Sequence, residues 1–403
     1  MNFSKTIIRG ILSGVLVLLA GAFTVSAQDA QKLAAADNGF AFDLLKQIAG
    51  EQPGKNIFIS PFSVSTALQM VGNGAAGETK TEMQRVLKTD NLPPAELNAA
   101  CKALNRSLVS QTNAILDLAD GIWYQTGFRL KPGFVADNQD YFQAGLAGVD
   151  FNSPQSADVI NAWADQATHG KIQNVVQFPF PPMTKVVLAN AIYFKGEWAD
   201  PFDTNLTQPR DFHPAGGGTI QTPMMSQHKK FSYAESGDFQ AVRLPYAGGR
   251  LEMYLFLPAT NSSPQELLAG FNGENWRDDI LPQFSEREGT LAFPKFKMDY
   301  DVTLNGALES LGMKHAFDSQ DADFSAMADE PLFVSVVKQK SFISVNEEGT
   351  EAAAVTTIMM GGRLAMKPVA PFEMTVDRPF FFVIADNETQ LILFMGIVND
   401  PAP

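Results

Sequence analysis

Ser226 and Lys229 stand at the spacing of an S-x-x-K pair, in which a lysine activates a serine nucleophile. Such a pair needs further partners, and the chain has neither the S-D-N nor the K-T-G triplet that completes it, nor a G-x-S-x-G elbow. The four histidines, His169, His213, His228 and His315, fall at no metal-ligand spacing. Gly72-Asn73-Gly74-Ala75-Ala76-Gly77 matches G-x-G-x-x-G, with Asp90 near the distance expected of a ribose ligand. Its context is wrong for a dinucleotide, because Ser60-Pro61 and Ser63 to Val71 read as a capped helix and not as a strand. A glycine-rich connection between helices accounts for it. Nucleophile, base and orienter assemble nowhere, so neither an enzyme nor a cofactor or metal is expected.

A different task fits Glu347-Glu348-Gly349-Thr350-Glu351-Ala352-Ala353-Ala354-Val355-Thr356-Thr357 and the residues that follow. The stretch is uncharged from Ala352 to Gly362 and lies between two apolar, strand-like segments, and long ordered connections of this sort are usually functional. A segment exposed in one state and a central strand in another must lack proline and charge, since proline has no ladder donor and a buried lone ion is costly. Strand alternation would put Thr350, Ala352, Ala354 and Thr356 on one face and Glu351, Ala353, Val355 and Thr357 on the other. Gly349 supplies backbone freedom for a hinge. Composition alone suits an ordinary strand or an Ala/Thr linker equally well.

The elements around these residues are of two kinds. Asp37-Asn38 reads as the cap of a helix with Phe40, Leu44, Leu45 and Ile48 on one face and Gly50 as its stop; Ser156 reads as the cap of another carrying Val159, Ile160, Trp163 and Ala167. Val186 to Phe194, Leu251 to Leu257, Phe380 to Ala385 and Leu391 to Val398 are nearly continuous apolar runs, as in strands buried on both faces. The last two suggest a C-terminal hairpin. Helices gather in the first half and strands in the second, which is an α+β architecture in one large domain.

At the N-terminus Lys5 and Arg9 precede an apolar run, Ile11 to Phe23, and Val25-Ser26-Ala27 is a small-residue cleavage site, so residues 1–27 read as a secretory signal peptide and 28–403 as the mature chain. The net charge of −14 argues against nucleic acid and anionic membranes as partners. Cys101 is the single cysteine, which excludes an intramolecular disulfide; in its helical setting it reads as a small buried residue. The sequons at Asn105, Asn205, Asn261 and Asn387 matter only in a eukaryotic secretory pathway. The bare signal and lack of disulfides point to a bacterial protein, secreted or periplasmic.

Three long segments carry a family resemblance. Asn56 to Leu68 resembles the stretch of the serpins, the serine protease inhibitors, that leads into their central helix. Leu188 to Trp198 is similar to the third strand of the family's main sheet, and Asp377 to Phe382 with Leu393-Phe394-Met395-Gly396 resembles its C-terminal signature. In order, they span about 35–400. The resemblance implies a serpin fold of three β-sheets and eight to nine helices, with an exposed reactive loop at about 347–370. It implies a monomer that forms a covalent acyl complex with its target serine protease and inserts the cleaved loop into its own sheet. Glu347, Gly349, Thr350, Glu351, Ala352, Ala353 and Ala354 match the hinge; Ser60, Ser63 and Asn190 match the shutter, and Trp198 the breach. Gln339 departs from the pattern, standing where many members carry a shutter histidine. In inhibitory members the cut falls after the seventeenth residue of the hinge count, which from Glu347 is Arg363, so the resemblance implies Arg363-Leu364 as the reactive bond and a trypsin-like protease, with its acidic primary pocket, as the target. A cut at Met359 or Met360 would imply elastase- or chymotrypsin-like targets, and Lys367 is disfavoured by Pro368. Two other activities stay open: trapping of cysteine proteases by the same loop, and a non-inhibitory binding or chaperone role. The helix with Lys102 and Arg106 lacks the basic cluster that a heparin-type activator would need.

Overall fold

The computed structural model describes residues 6–110, 114–142, 145–350 and 370–402, with side chains left aside for 6–27, 109–110, 115 and 117–118. Within these are nine α-helices: α1 (Thr6–Glu51), α2 (Pro61–Gly72), α3 (Gly77–Val86), α4 (Pro94–Ser110), α5 (Pro132–Asp137), α6 (Gln155–Ala167), α7 (Pro264–Ala269), α8 (Gly273–Asn275) and α9 (Asn305–Leu311). The strands are β1 (Ile57–Ile59), β2 (Ile115–Gln125), β3 (Gly145–Val149), β4 (Val186–Glu197), β5 (Gln208–Phe212), β6 (Ile220–Glu235), β7 (Phe239–Pro245), β8 (Leu251–Pro258), β9 (Ser285–Pro294), β10 (Phe296–Thr303), β11 (Val334–Asn346), β12 (Gly349–Thr350), β13 (Phe372–Thr375), β14 (Phe380–Asp386) and β15 (Ile392–Val398).

Six strands make one sheet in the order β10-β11-β12-β4-β2-β3. The others form a hydrogen-bonded path β1-β15-β14-β8-β7-β6-β9-β13, with β5 on β6. Its two parts meet only at the end of β6, where Ser232–Glu235 pair with β7 while Met224–Tyr233 pair with β9. Two of the three expected sheets are thus joined through one long shared strand. β14 and β15 are the expected hairpin, and every residue of both is buried. With β1 they build an aromatic floor: Phe58 stacks on Phe382 and Phe394 at ring-centroid separations of 5.9 and 5.5 Å.

The helix α2 sits on this floor. Ser60 caps it by accepting from the Ser63 amide at 3.3 Å, and Pro61 occupies the first turn, where the missing N–H costs nothing. Every residue from Pro61 to Val71 is buried, and its four polar side chains, Ser63, Ser65, Thr66 and Gln69, are each hydrogen-bonded inside the core.

Two expected helix starts are corrected. α1 runs straight through Asp37 and Asn38 to Glu51, past Gly50. Neither side chain caps anything; Asp37 takes a hydrogen bond from Ser65 Oγ at 2.5 Å, and Asn38 reaches Gln390 O and the Ile392 amide at 2.8 Å each. Their polarity serves long-range contacts. In α6, Ser156 lies inside the first turn and its Oγ donates back to Ser153 O at 2.6 Å. The buried stripe there is Ala157, Ile160 and Ala164; Val159 faces solvent.

Candidate functional site: the seat of the hinge and the polar cluster below it

β4 and β11 run parallel, with Gln339 opposite Asn190 in the register. At their upper ends β12 lies between them: Val345 and Asn346 face Thr350 and Gly349, which on the other side face Gly196 and Glu197. The first residues of the 347–370 segment are therefore already strand, seated in the gap where a longer strand would go.

This seat is built from several directions. The Asn346 side chain accepts from the amides of Glu348 and Gly349 at 3.0 and 3.2 Å, closing the turn. Gly349 has φ +147°, and a Cβ there would lie 2.2 Å from Gly196 O and 2.7 Å from Glu197 Cα. Only glycine fits this approach of strand to strand. The buried Thr350 hydroxyl shares a 2.9 Å hydrogen bond with Tyr246. Glu347 is held by Lys295 at 2.8 Å and by Thr207 Oγ1 at 2.8 Å. Burial pushes its carboxyl up, but these bonds outweigh it and hold the group below the usual carboxylate range.

Trp198, buried, closes the top. Its Nε1 donates to Asn346 O at 3.0 Å, its amide donates to Glu348 O at 2.9 Å, and its ring stacks on Tyr246 at 4.6 Å. One residue thus touches β4, the turn and the Thr350 partner, which places it where a strand entering the gap would begin. Tyr246, Lys295 and Thr207 carried no signal in the sequence, since each comes from a segment remote from the hinge.

Below the seat, where β4 and β11 pair directly, Ser60, Ser63, Asn190 and Gln339 are brought together. Gln339 Nε2 donates to Ser60 O at 3.1 Å and to Asn190 Oδ1 at 2.8 Å, and its Oε1 accepts from the Ser60 amide at 3.1 Å. Gln339 is fully buried and satisfied by an amide's own donors and acceptors, with no titrating group needed. Asn190 Nδ2 in turn donates to Ser63 Oγ and to Asp120 Oδ1. Ser341 adds a bond to Phe58 O at 2.5 Å. The bond from Gln339 to Asn190 thus crosses from β11 to β4.

Asp120, on β2, was not foreseen. It accepts from Ser63 Oγ at 3.1 Å as well as from Asn190. Burial pushes its carboxyl up to about 7, more than the bonds from Asn190 and Ser63 bring it down. An acid in the run Leu118-Ala119-Asp120-Gly121-Ile122, inside a strand, was the available sign.

Glu351, Ala352, Ala353, Ala354, Arg363 and Leu364 lie outside the described residues. Ser226 and Lys229 belong to the strand β6, not to a helix, and Lys229 is paired with Asp200 at 2.8 Å. The G-x-G-x-x-G run links the end of α2 to the start of α3. Cys101 is buried in α4 with Sγ donating to Gln69 Oε1 at 2.5 Å, and burial, then the Asp37 charge, raise its thiol.

The chain matches the family model described as serpin (serine protease inhibitor) over residues 35–401. It is 37% identical to a serpin-like protein of Thermococcus kodakarensis, over 90% of this chain and 84% of that one. It is 32% identical to plasminogen activator inhibitor 1 of Neovison vison, over 96% and 97%. Among solved structures, native tengpin, a thermophilic serpin, superposes with TM-score 0.83 and 29% identity over 92% of this chain and 94% of that one. Human thyroxine-binding globulin complexed with thyroxine gives 0.84 and 26%, over 93% and 100%. The chain belongs to the serpin family. Membership supports protease inhibition as the general activity, with a protease as the general kind of partner.

Proposed function

We propose that this protein is an irreversible suicide-substrate inhibitor of a trypsin-like serine protease, cut between Arg363 and Leu364. The protease serine attacks the Arg363 carbonyl, the Leu364 amine leaves, and an ester joins the two proteins. Insertion of the segment from Thr350 onward between β4 and β11 then carries the protease away before water can hydrolyse the ester. No residue of the inhibitor performs chemistry. The driving force is the free energy released when an uninserted strand completes the sheet, so the starting state is a kinetic and not a thermodynamic resting point. The observation that carries this reading is the seat itself: Gly349 and Thr350 are already paired on both sides, so insertion needs propagation and no nucleation.

Arg363 selects the target through its guanidinium, the only charge between Ala352 and Met366. Residues 1–27 are read as a signal peptide, so that the mature inhibitor, 28–403, is secreted or periplasmic and acts as a monomer. Incubation with trypsin, denaturing electrophoresis and sequencing of the released C-terminal fragment test the proposal. A denaturation-resistant complex with a fragment starting at Leu364 is expected. Clean cleavage at Leu364 with trypsin, and no complex with any trypsin-like enzyme, would refute trapping; cleavage elsewhere would refute the assigned bond.

A further inference from the structure

The chain beyond the reactive loop is held by side chains as well as by a sheet. β13 has four residues, pairs in parallel with β9 through Phe372 to Thr375, and stands at the end of its sheet, so its ladder is one-sided. Two side chains add to that hold. Arg287 of β9 donates from Nε and Nη2 to Ala370 O at 3.3 and 3.2 Å, two residues before β13 begins. Gln240 of β7 donates to Glu373 O at 3.0 Å.

Both donors are themselves fixed. Arg287 Nη1 pairs with Glu235 at 2.9 Å, and the guanidinium carbon lies 5.3 Å from the centroid of the Tyr233 ring. The Tyr233 hydroxyl donates to Glu235 at 2.6 Å and accepts from Gln240 at 2.9 Å. Its ring stacks on Phe372 at 3.9 Å, and Gly289 leaves the space for Phe372, since a Cβ there would meet that ring at 2.2 Å.

Lengths along the strands show what this hold opposes. Continued in the register of β12, Met360 would face Val186, ten residues and about 34 Å below Thr350. The twelve residues from Met360 to Phe372 reach at most about 43 Å, and returning to the level of the seat uses about 34 Å of that. Lys295, paired with Glu347 at the seat, is six residues along from Gly289, the partner of Phe372, which adds about 20 Å. By this route a loop inserted whole is about 11 Å short, so it pulls β13 away from β9. A cut at Arg363-Leu364 removes the constraint, because the two ends can then separate.

We propose that Arg287 is a positioning residue at the far root of the loop: with Gln240 and Tyr233 it holds β13 in place and so keeps the uncut loop from being drawn fully into the sheet. The inference rests on the insertion reading, and adds to it what keeps the protein in its uninserted state before a protease arrives. Trapping itself does not use Arg287, since β13 has no reason to move once the loop is cut.

The test is to incubate the whole protein at 37 °C without protease and follow amide hydrogen exchange by mass spectrometry, with the intact mass showing that no bond is cut. Insertion without a cut reads as protection gained over 350–360 and lost over 371–376. In fresh Arg287→Ala, exchange over 371–376 should be about tenfold faster than in the parent, the order expected for one charge-assisted hydrogen bond. The inserted form should then accumulate about tenfold faster. Arg287→Lys, which keeps the charge and one donor but loses the paired contact, should fall between the two. Lys230→Ala removes a surface pair with Glu286 that β13 does not share, and should match the parent. Gln240→Leu removes the second hold without leaving a charge unpaired; it should shift both rates in the same direction, and decides the matter if Arg287→Ala does not fold. Unchanged exchange over 371–376 overturns the proposal, as does insertion no faster than in the parent, on warming as at 37 °C. Fresh Arg287→Ala should trap trypsin with the parent's partition. Failure of the parent to trap, alongside the expected exchange, would sink the inhibitor reading alone.

Discussion

Gly349→Ala is the substitution that most directly tests whether the seat starts insertion. The added methyl would stand 2.2 Å from Gly196 O, 2.7 Å from Glu197 Cα and 2.9 Å from the Trp198 amide nitrogen, all backbone atoms. Backbone cannot swing aside as a side-chain tip does, so β4 or β12 must move by about an ångström. Overpacking of this kind costs about 1–3 kcal/mol, and an alanine held at φ +147° adds roughly 1–3 more. If about 1.4 kcal/mol of that sum reaches the first step of insertion, the rate falls about tenfold. Deacylation by water takes place on the protease and is unaffected. The partition between trapped complex and cleaved product therefore shifts about tenfold toward product. The assay is titration of trypsin with the variant, reading inhibitor molecules consumed per enzyme inactivated alongside the rate of loop cleavage. The expected result is a ratio of cleaved to trapped inhibitor raised about tenfold, with loop cleavage within about twofold of the parent. Gly306→Ala in α9 is the control, because a methyl there meets nothing within 4 Å. If Gly349→Ala folds and traps as efficiently as Gly306→Ala, the idea that the seated residues begin insertion is refuted.

Ala354→Arg should turn the protein from inhibitor to substrate: the loop is still cut, but complex on the denaturing gel disappears, because a charge would have to enter a buried strand position. Asp37→Asn should gain stability over the parent at pH 8 and not at pH 4. Burial raises the Asp37 carboxyl to about 7, against 3.8 when unfolded, so the folded state binds a proton that the unfolded state has lost, and stability falls as pH climbs between those values. The difference, read from denaturant midpoints, is about 1.4 kcal/mol for each pKa unit removed. Cys101 should resist a thiol reagent at pH 8 in the native protein and react fully once unfolded, because its Sγ is buried and bonded to Gln69. Rapid labelling of the native protein would contradict that packing.

How much of this was legible in the sequence depends on the range over which each feature is determined. Local chemistry was readable: Ser60-Pro61 does cap a helix, the apolar runs 186–194, 380–385 and 391–398 are buried strands, and the glycine-rich run is a connection. The false helix start at Asp37-Asn38 shows the limit. Those residues have the right chemistry for a cap, but their hydrogen bonds go to Ser65 and to the 390–392 turn, partners hundreds of residues off in one case. Asp120 was missed for the same reason. A carboxylate inside an apolar strand announces some unusual partner, but nothing in the order of residues says that the partners are Ser63 and Asn190. Tyr246, Lys295 and Thr207 became part of the hinge seat only when the sheets were folded around it.

The cluster and the seat belong to one mechanical problem, which is to let β4 and β11 part without loosening what lies beneath. The floor under the gap is hard to deform: Phe58 is stacked between rings of β14 and β15, and Phe194 of β4 packs on Phe394 at 5.3 Å. A Cβ at Gly396 would lie 2.4 Å from the Phe382 ring, so β15 has no slack toward its neighbour. Ser60 hangs from this floor through β1, and Gln339 hangs from Ser60 through two hydrogen bonds. β11 is consequently tied to the floor at its midpoint. β4 is tied through Asn190 to Ser63 at the start of α2 and to Asp120 on β2. Besides the parallel backbone ladder, the two assemblies are joined at this level by the side-chain bond from Gln339 to Asn190, a neutral amide contact that contributes about 1 kcal/mol. Opening therefore breaks the parallel ladder between Val334–Phe342 and Val186–Tyr193 together with this one small side-chain bond, while each strand keeps its own anchor. A strand entering from the seat at Gly349 and Thr350 has to part the ladder from Phe342 and Tyr193 downward, and then that side-chain joint, to advance.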